Sequence, residues 1–328
     1  MDLQARPVPG SDAGPWLKGT RALHDVWAHL FGRQEASYRA RKGVTTDANG
    51  IFFVRIAASR VPKTVAITND PSRGRRRDVG EVRAVVESEH VFPLVRGEGV
   101  SAFKASPDPE YRILVPQRGM HGDPDLPSDA PRTHRFLARF EDILESRSSY
   151  KRFQLRTGAP YWSLWSTGEY TFSPYKVAWR ELGGRKFAAA YMGHYADSIL
   201  GRKIMVPDHK LYFVPCSSRD EAAYLTGFLN APVVAGAVSA YAAQLSLGAS
   251  VVEYLLVPSY DESLREHVEL AETASSITES GGDATPGQLE ELDGVVCALL
   301  GISDDIRRAV HDEAKDPVIK NAEGMGGS

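Results

Sequence analysis

Residues 38–54 read YRARKGVTTDANGIFFV, an unbroken passage from three cations through a small polar loop into an apolar run. Ile51, Phe52, Phe53 and Val54 read as a strand that needs a core, so the loop of Gly43, Thr45, Thr46, Asp47, Asn49 and Gly50 is anchored at that end. Arg39, Arg41 and Lys42 stand at its other end. Cations, short hydrogen-bonding side chains and a rigid anchor are what a loop needs to hold phosphates and read base edges. A hairpin turn with a solvated basic flank uses the same residue types.

The 328 residues, 42% hydrophobic and 25% charged, are enough for one large domain or two smaller ones. The net charge of −3 hides a division. Residues 1–215 carry 33 Lys and Arg against 23 Asp and Glu, while the rest carry 6 against 19. The first two thirds can therefore face a polyanion and the remainder points elsewhere. Two such regions could equally serve proteins that bind each other. Cys216 and Cys297 are far apart and form no metal-ligand spacing, which argues against a disulfide framework and a zinc site. The polar, proline-broken start shows no signal peptide, and residues 233–247 are too short and too polar to span a bilayer. A cytoplasmic protein with no membrane partner is expected.

Residues 16–31 read as a helix with Leu23, Trp27 and Leu30 on one face, ended by Gly32. Strand patterns follow at 51–56, 63–67 and 111–116, and residues 133–147 read as an amphipathic helix. Between 69 and 80 lies the densest basic run, NDPSRGRRRDVG. Pro71 and Gly74 make it a loop, and Arg73, Arg75, Arg76 and Arg77 give it an electrostatic footprint for phosphates. Gly97, Gly99 and Ala102 match G-x-G-x-x-A, but no helix pattern follows, so a dinucleotide site is discounted. The segment FSPYKVAWR, 172–180, reads as a strand with Tyr175, Val177 and Trp179 on one face. Lys176 and Arg180 fall on the other, as second candidates for phosphate contact. Residues 217–232 read as a helix capped by Ser217, and VVEYLLVP as a final strand. Acidic helical segments follow from 261 to 318, with a disordered tail at 319–328.

No nucleophile elbow, P-loop or paired-cysteine motif is present. Asp197 followed by Asp208-His209-Lys210 has the acid and D-x-K order of a metal-dependent nuclease, which is the enzymatic alternative. A module that binds protein through its acidic segment without touching DNA is a third reading.

The ordered series GVTTDANGIFFV, PLVRGEGV, YRILVP, FSPYKVAWR, RDEAAYLTGFLNAP and VVEYLLVPSYD resembles the C-terminal target-recognition half of large adenine-specific DNA methyltransferases. These include fused type IIG restriction-modification proteins and related phage-defence enzymes, with the TaqI-like specificity domain as structural relative. The likeness spans residues 16 to 300. It implies a mixed α/β (α+β) recognition domain at 16–260, behind a flexible 1–15, that reads a short double-stranded DNA sequence beside a catalytic methyltransferase or endonuclease subunit. In such relatives the catalytic half holds S-adenosylmethionine and an N-P-P-Y-like tetrapeptide. This sequence has no such tetrapeptide, so no cofactor is expected in it. A separately encoded specificity subunit, or the remainder of a split gene, is the expectation. Arg39, Arg41, Lys42, Arg73, Arg75, Arg76 and Arg77 would hold phosphates, and Thr45, Thr46 and Asn49 would approach base edges.

Overall fold

A computed structural model describes residues 3–7, 16–32, 36–76, 78–181, 187–242 and 248–313. Its mixed α/β architecture, with helices gathered at the C-terminal end, agrees with the class read from the sequence. Two six-stranded sheets carry it. The first runs in the order Val206–Pro207, Val91–Val95, Arg112–Leu114, Phe53–Ala58, Thr64–Asn69, Arg83–Glu87. It is antiparallel except where Val206 lies parallel to Leu94. Leu126, Phe136, Leu137, Phe140 and Leu144 pack with the strand residues in one core. Their spacing is the apolar periodicity of 133–147, though that segment forms two short helices, Pro131–Leu137 and Glu141–Glu145, around a tight turn.

The second sheet runs Arg41–Lys42, Leu211–Cys216, Tyr175–Arg180, Ala190–Met192, Phe103–Ala105, Val100–Ser101. Helices Arg21–Leu30, Arg219–Asn230, Pro232–Ala242, Arg265–Glu279 and Pro286–Leu300 supply the core that covers it, with Trp27, Tyr224 and Phe228 fully enclosed. The acidic helices are thus half core: Leu270, Ala274 and Ile277 of one and Leu292 and Val296 of the other are buried. Among the described residues no single helix is long and apolar enough to cross a membrane.

Several elements differ from expectation for local reasons. Residues Trp16–Gly19 form a strand paired with Gln4–Pro7, a segment expected to be flexible. The helix begins only at Arg21, because the Thr20 hydroxyl accepts from the Leu23 amide and sets the start. Asn49–Phe52 is a single helical turn, and the strand starts at Phe53. Ser218 rather than Ser217 caps the helix at 219, while Ser217 donates to Glu221. The expected strand at 251–258 begins as the short helix Ser250–Tyr254, which turns Val251 and Val252 into the core.

Lys176 corrects the expectation for its strand. Both faces of Tyr175–Arg180 are covered, Val177 and Trp179 by the helices and Ala178 by a small cluster with Val95 and Phe213. Lys176 is fully buried and its Nζ donates to the Ser173 carbonyl at 2.5 Å. Enclosed in this way it cannot reach a phosphate. Burial drives its ammonium pKa down from 10.5 to about 7.

The loop after Lys42 is fixed by its backbone. Gly43 N donates to the Leu211 carbonyl at 2.8 Å, Val44 N to the Pro207 carbonyl at 2.9 Å, and Val44 bridges Asp208. A Cβ on Gly43 would lie 2.0 Å from the Asp208 carbonyl oxygen. Only glycine lets the chain pass so close to the segment that joins both sheets. Gly43→Ala should therefore cost about 1–3 kcal/mol or more, read as a lowered urea midpoint. An unchanged midpoint would contradict the close approach.

The buried amine gives a pH dependence of defined sign. Its pKa is lower folded than unfolded, so the unfolded chain binds the extra proton between about 7 and 10.5. Stability from this group should rise with pH through that window, by up to about 1.4 kcal/mol per pH unit. Denaturant melts from pH 7 to 10 on wild type and Lys176→Met should show this slope in the first only.

Candidate nucleic-acid interface

Arg147 organises the surface beside the 43–50 loop. It stands just after the helix Glu141–Glu145, and only 2% of it is exposed. Its guanidinium donates from Nε to Leu144, from Nη1 to Thr46, and from Nη2 to both Tyr161 and Ser163, all backbone carbonyls, at 2.5 to 2.9 Å. Burial lowers its pKa to about 10, with Asp47 opposing the shift. The Asp47 carboxylate accepts from Ser149 N at 2.9 Å. Three segments distant in sequence meet here: 45–49, 144–149 and 161–165.

Thr45 and Trp165 exchange backbone hydrogen bonds at 2.9 and 3.1 Å. Thr46 is 1% exposed; its hydroxyl accepts from Ala48 N at 3.2 Å and donates to Asn49 Oδ1. That bond holds Asn49 in place and leaves its amide N–H groups uncommitted among the described residues. Of the three expected base-edge residues, Thr45 and Asn49 are half-buried at the surface, whereas Thr46 shapes the loop.

The basic loop lies alongside. Its short turn Pro71–Arg73 is capped by Asp70 Oδ1, which accepts from Ser72 N at 3.0 Å. Gly50 and Gly74 pack closely, a Cβ on Gly74 standing 3.1 Å from Gly50 N. Asp70 also receives the Tyr111 hydroxyl at 2.5 Å and Arg55 at 2.6 Å. Burial opposes its charge, yet the Tyr111, Ser72 and Arg55 contacts prevail and hold its carboxyl at about 2. Arg73 lies over the Tyr111 ring at 4.4 Å, within 4 Å of Asp70 and Glu110. Arg76 donates to the Ile143 carbonyl at 3.0 Å and Ser146 Oγ at 2.6 Å, which ties the loop to the helix end beside Arg147. Arg75 is exposed with no partner among the described residues. Arg77 lies outside them.

The remaining expected cations are more committed. Arg39 is exposed. Arg41 lies over the Tyr170 ring at 4.7 Å, and Lys42 pairs with Glu181 at 2.5 Å. Arg180 donates to the Val100 carbonyl at 2.6 Å. These three, with buried Lys176, belong to the second sheet and its turns.

The segment KRFQLR, residues 151–156, is absent from the candidates that the sequence suggests. Tyr150–Gln154 is a π-helical turn next to Arg147 with Lys151 and Arg152 exposed on it, and Arg156 is exposed on the tight turn Leu155–Thr157 that follows. Phe153 stacks on Trp165 with centroids 3.9 Å apart and planes 13° from parallel. Three cations around one aromatic are a usable signal, hidden because the aromatics after 150 read as core.

The acids of the nuclease alternative have structural work. Asp197 pairs with Arg112 at 2.6 Å and accepts from Ile199 N and Leu200 N in a hairpin turn. Asp208 caps its own turn by accepting from Lys210 N at 2.9 Å, and burial raises its pKa. Among the described residues no cluster of three or more His, Cys, Asp or Glu could hold a metal.

No protein-family profile matches the chain. Structural comparison pairs it with the type IIL restriction-modification enzyme MmeI in complex with DNA, at TM-score 0.44 and 11% identity, covering 91% of this chain and 36% of that one. Over 95 residues, 28% of its length, it is 33% identical to the type II methyltransferase M.NspV of Nostoc sp.. Over that stretch it is related to a type II methyltransferase, of whose length the match spans 18%.

Proposed function

We propose that this chain is a DNA target-recognition protein of a restriction-modification or phage-defence adenine methyltransferase system, of the TaqI-like specificity kind. It binds double-stranded DNA and positions a separate methyltransferase or endonuclease subunit, the methyltransferase being where S-adenosylmethionine is held. The observation that carries this reading is the convergence at Arg147. There the polar 45–49 loop, the basic segment 70–76 and the turn that carries Lys151 meet on one rigid frame. Sequence identity to a type II methyltransferase supports the same assignment.

In this reading Arg39, Arg75, Lys151, Arg152 and Arg156 hold phosphates, because they are exposed cations. Arg73 and Arg76 orient the loop and contribute field. Thr45 and Asn49 approach base edges, Asn49 with amide donors uncommitted among the described residues and Thr45 with a short hydroxyl. The acidic outer faces of Arg265–Glu279 and Pro286–Leu300 repel DNA and suit contact with the partner subunit.

The triple variant Arg75→Glu, Lys151→Glu, Arg156→Glu should bind a random duplex more weakly at low salt. Its slope of log affinity against log salt should be shallower by about 0.9 for each phosphate that is no longer neutralised. Gel shifts across a salt series read both quantities. Equal affinity and slope in wild type and variant would sink the interface.

A further inference from the structure

The stack at Phe153 does more than fill space. Phe153 is 36% exposed, and one face of its ring is covered by Trp165 at 3.9 Å. The Arg152 guanidinium lies over the ring at 5.0 Å, and because Trp165 fills the near side, it occupies the other. Leu155, two residues on, is 54% exposed, and Met120, whose backbone meets Gln154, is 65% exposed. Met120 is held by its carbonyl, which accepts from Gln154 Nε2 at 3.3 Å. The exposed apolar side chains Phe153 and Leu155 share one stretch of chain with the exposed cations Lys151, Arg152 and Arg156, a combination that suits a ligand both apolar and anionic.

The tip is also rigid. Gln154, 1% exposed, meets His121 Nδ1 at 2.5 Å and donates to the Leu164 carbonyl at 3.2 Å, while the Tyr150 hydroxyl donates to Ala159 at 3.0 Å. Ser166, directly after Trp165, holds a φ of +55°, a left-handed conformation that fixes the ring's backbone under strain. A π-helical turn is itself uncommon and concentrates at functional positions.

We propose that Phe153, backed by Trp165, is a wedge that inserts at a base step: the exposed Arg152 guanidinium leaves the outer face of the ring for a flanking phosphate, and an unstacked nucleobase takes its place on that face. The proposal rests on the DNA-binding reading above and adds distortion of the duplex to it. An apolar side chain thrust between bases opens the step, and the surrounding cations hold the bent backbone. The ligand class is duplex DNA with one easily opened step, where the cost of unstacking is smallest.

The test uses the full chain and two duplexes of one arbitrary sequence, one intact and one with a single abasic site next to 2-aminopurine. Wild type should bind the abasic duplex roughly tenfold more tightly or better, the scale expected of one base-stacking contact, and change the 2-aminopurine emission. Phe153→Ala should lose the preference and the emission change while keeping the wild-type salt slope. Because Phe153→Ala also removes the stack on Trp165, its melting temperature is read in parallel to confirm that it is folded at the assay temperature, and Phe153→Trp should restore the preference. Equal binding to both duplexes by wild type, or a preference that survives Phe153→Ala, overturns the wedge and leaves the DNA-binding reading standing. No binding to either duplex at low salt overturns both.

Discussion

One buried guanidinium sets the geometry of the candidate interface. Among the described residues the Arg147 guanidinium pairs with no carboxylate and donates to four backbone carbonyls from three separated segments. Taking a charge out of water is unfavourable, and here charge-assisted hydrogen bonds offset it by satisfying carbonyls that would otherwise be buried without donors. Breaking the arrangement would leave both a buried cation and orphaned acceptors. The free energy of that rupture is what keeps the loops in one conformation.

The same logic divides the cations into two kinds. Arg73, Arg76, Arg112, Lys42 and Arg180 each have a protein acceptor, so much of the positive charge counted in the sequence is committed to internal order. Arg39, Arg75, Lys151 and Arg156 are exposed and carry the field that a polyanion would meet. A dense run such as 73–77 therefore overstates its own contribution. Its Asp70 and Glu110 neighbours, distant or inconspicuous in the sequence, neutralise part of it.

Legibility followed the range of the forces involved. The strand at 175–180, the helix at 219–230 and the amphipathic spacing of 136, 137, 140 and 144 come from local periodicity, and all are present. Lys176 escapes that logic because alternation assumes one wet face, whereas both faces of its strand are covered by elements far away in sequence. At 251–254 the apolar residues fit a strand or a buried helical turn equally well, and packing chose the helix. The polar loop is visible at 43–50, but its neighbours are not. Thr45 meets Trp165 and Asp47 meets Ser149 only through tertiary closure, about a hundred residues apart.

That closure explains the strain beside the site. Asp47 and Ser166 are both left-handed, at φ +50° and +55°, and neither is glycine. Such residues cost about 1–3 kcal/mol each and persist only where their surroundings over-determine them. Here Asp47 is pinned by Ser149 and by the Arg147 bond to Thr46, and Ser166 follows the Thr45 bridge. The two strained turns flank the Thr45–Trp165 backbone bridge that joins the polar loop to the aromatic stack. A surface built this way loses little conformational entropy when a ligand arrives, because the ordering was completed in folding. Free energy stored in the backbone is thus converted into a fixed spacing between Thr45, Asn49 and the ring of Phe153.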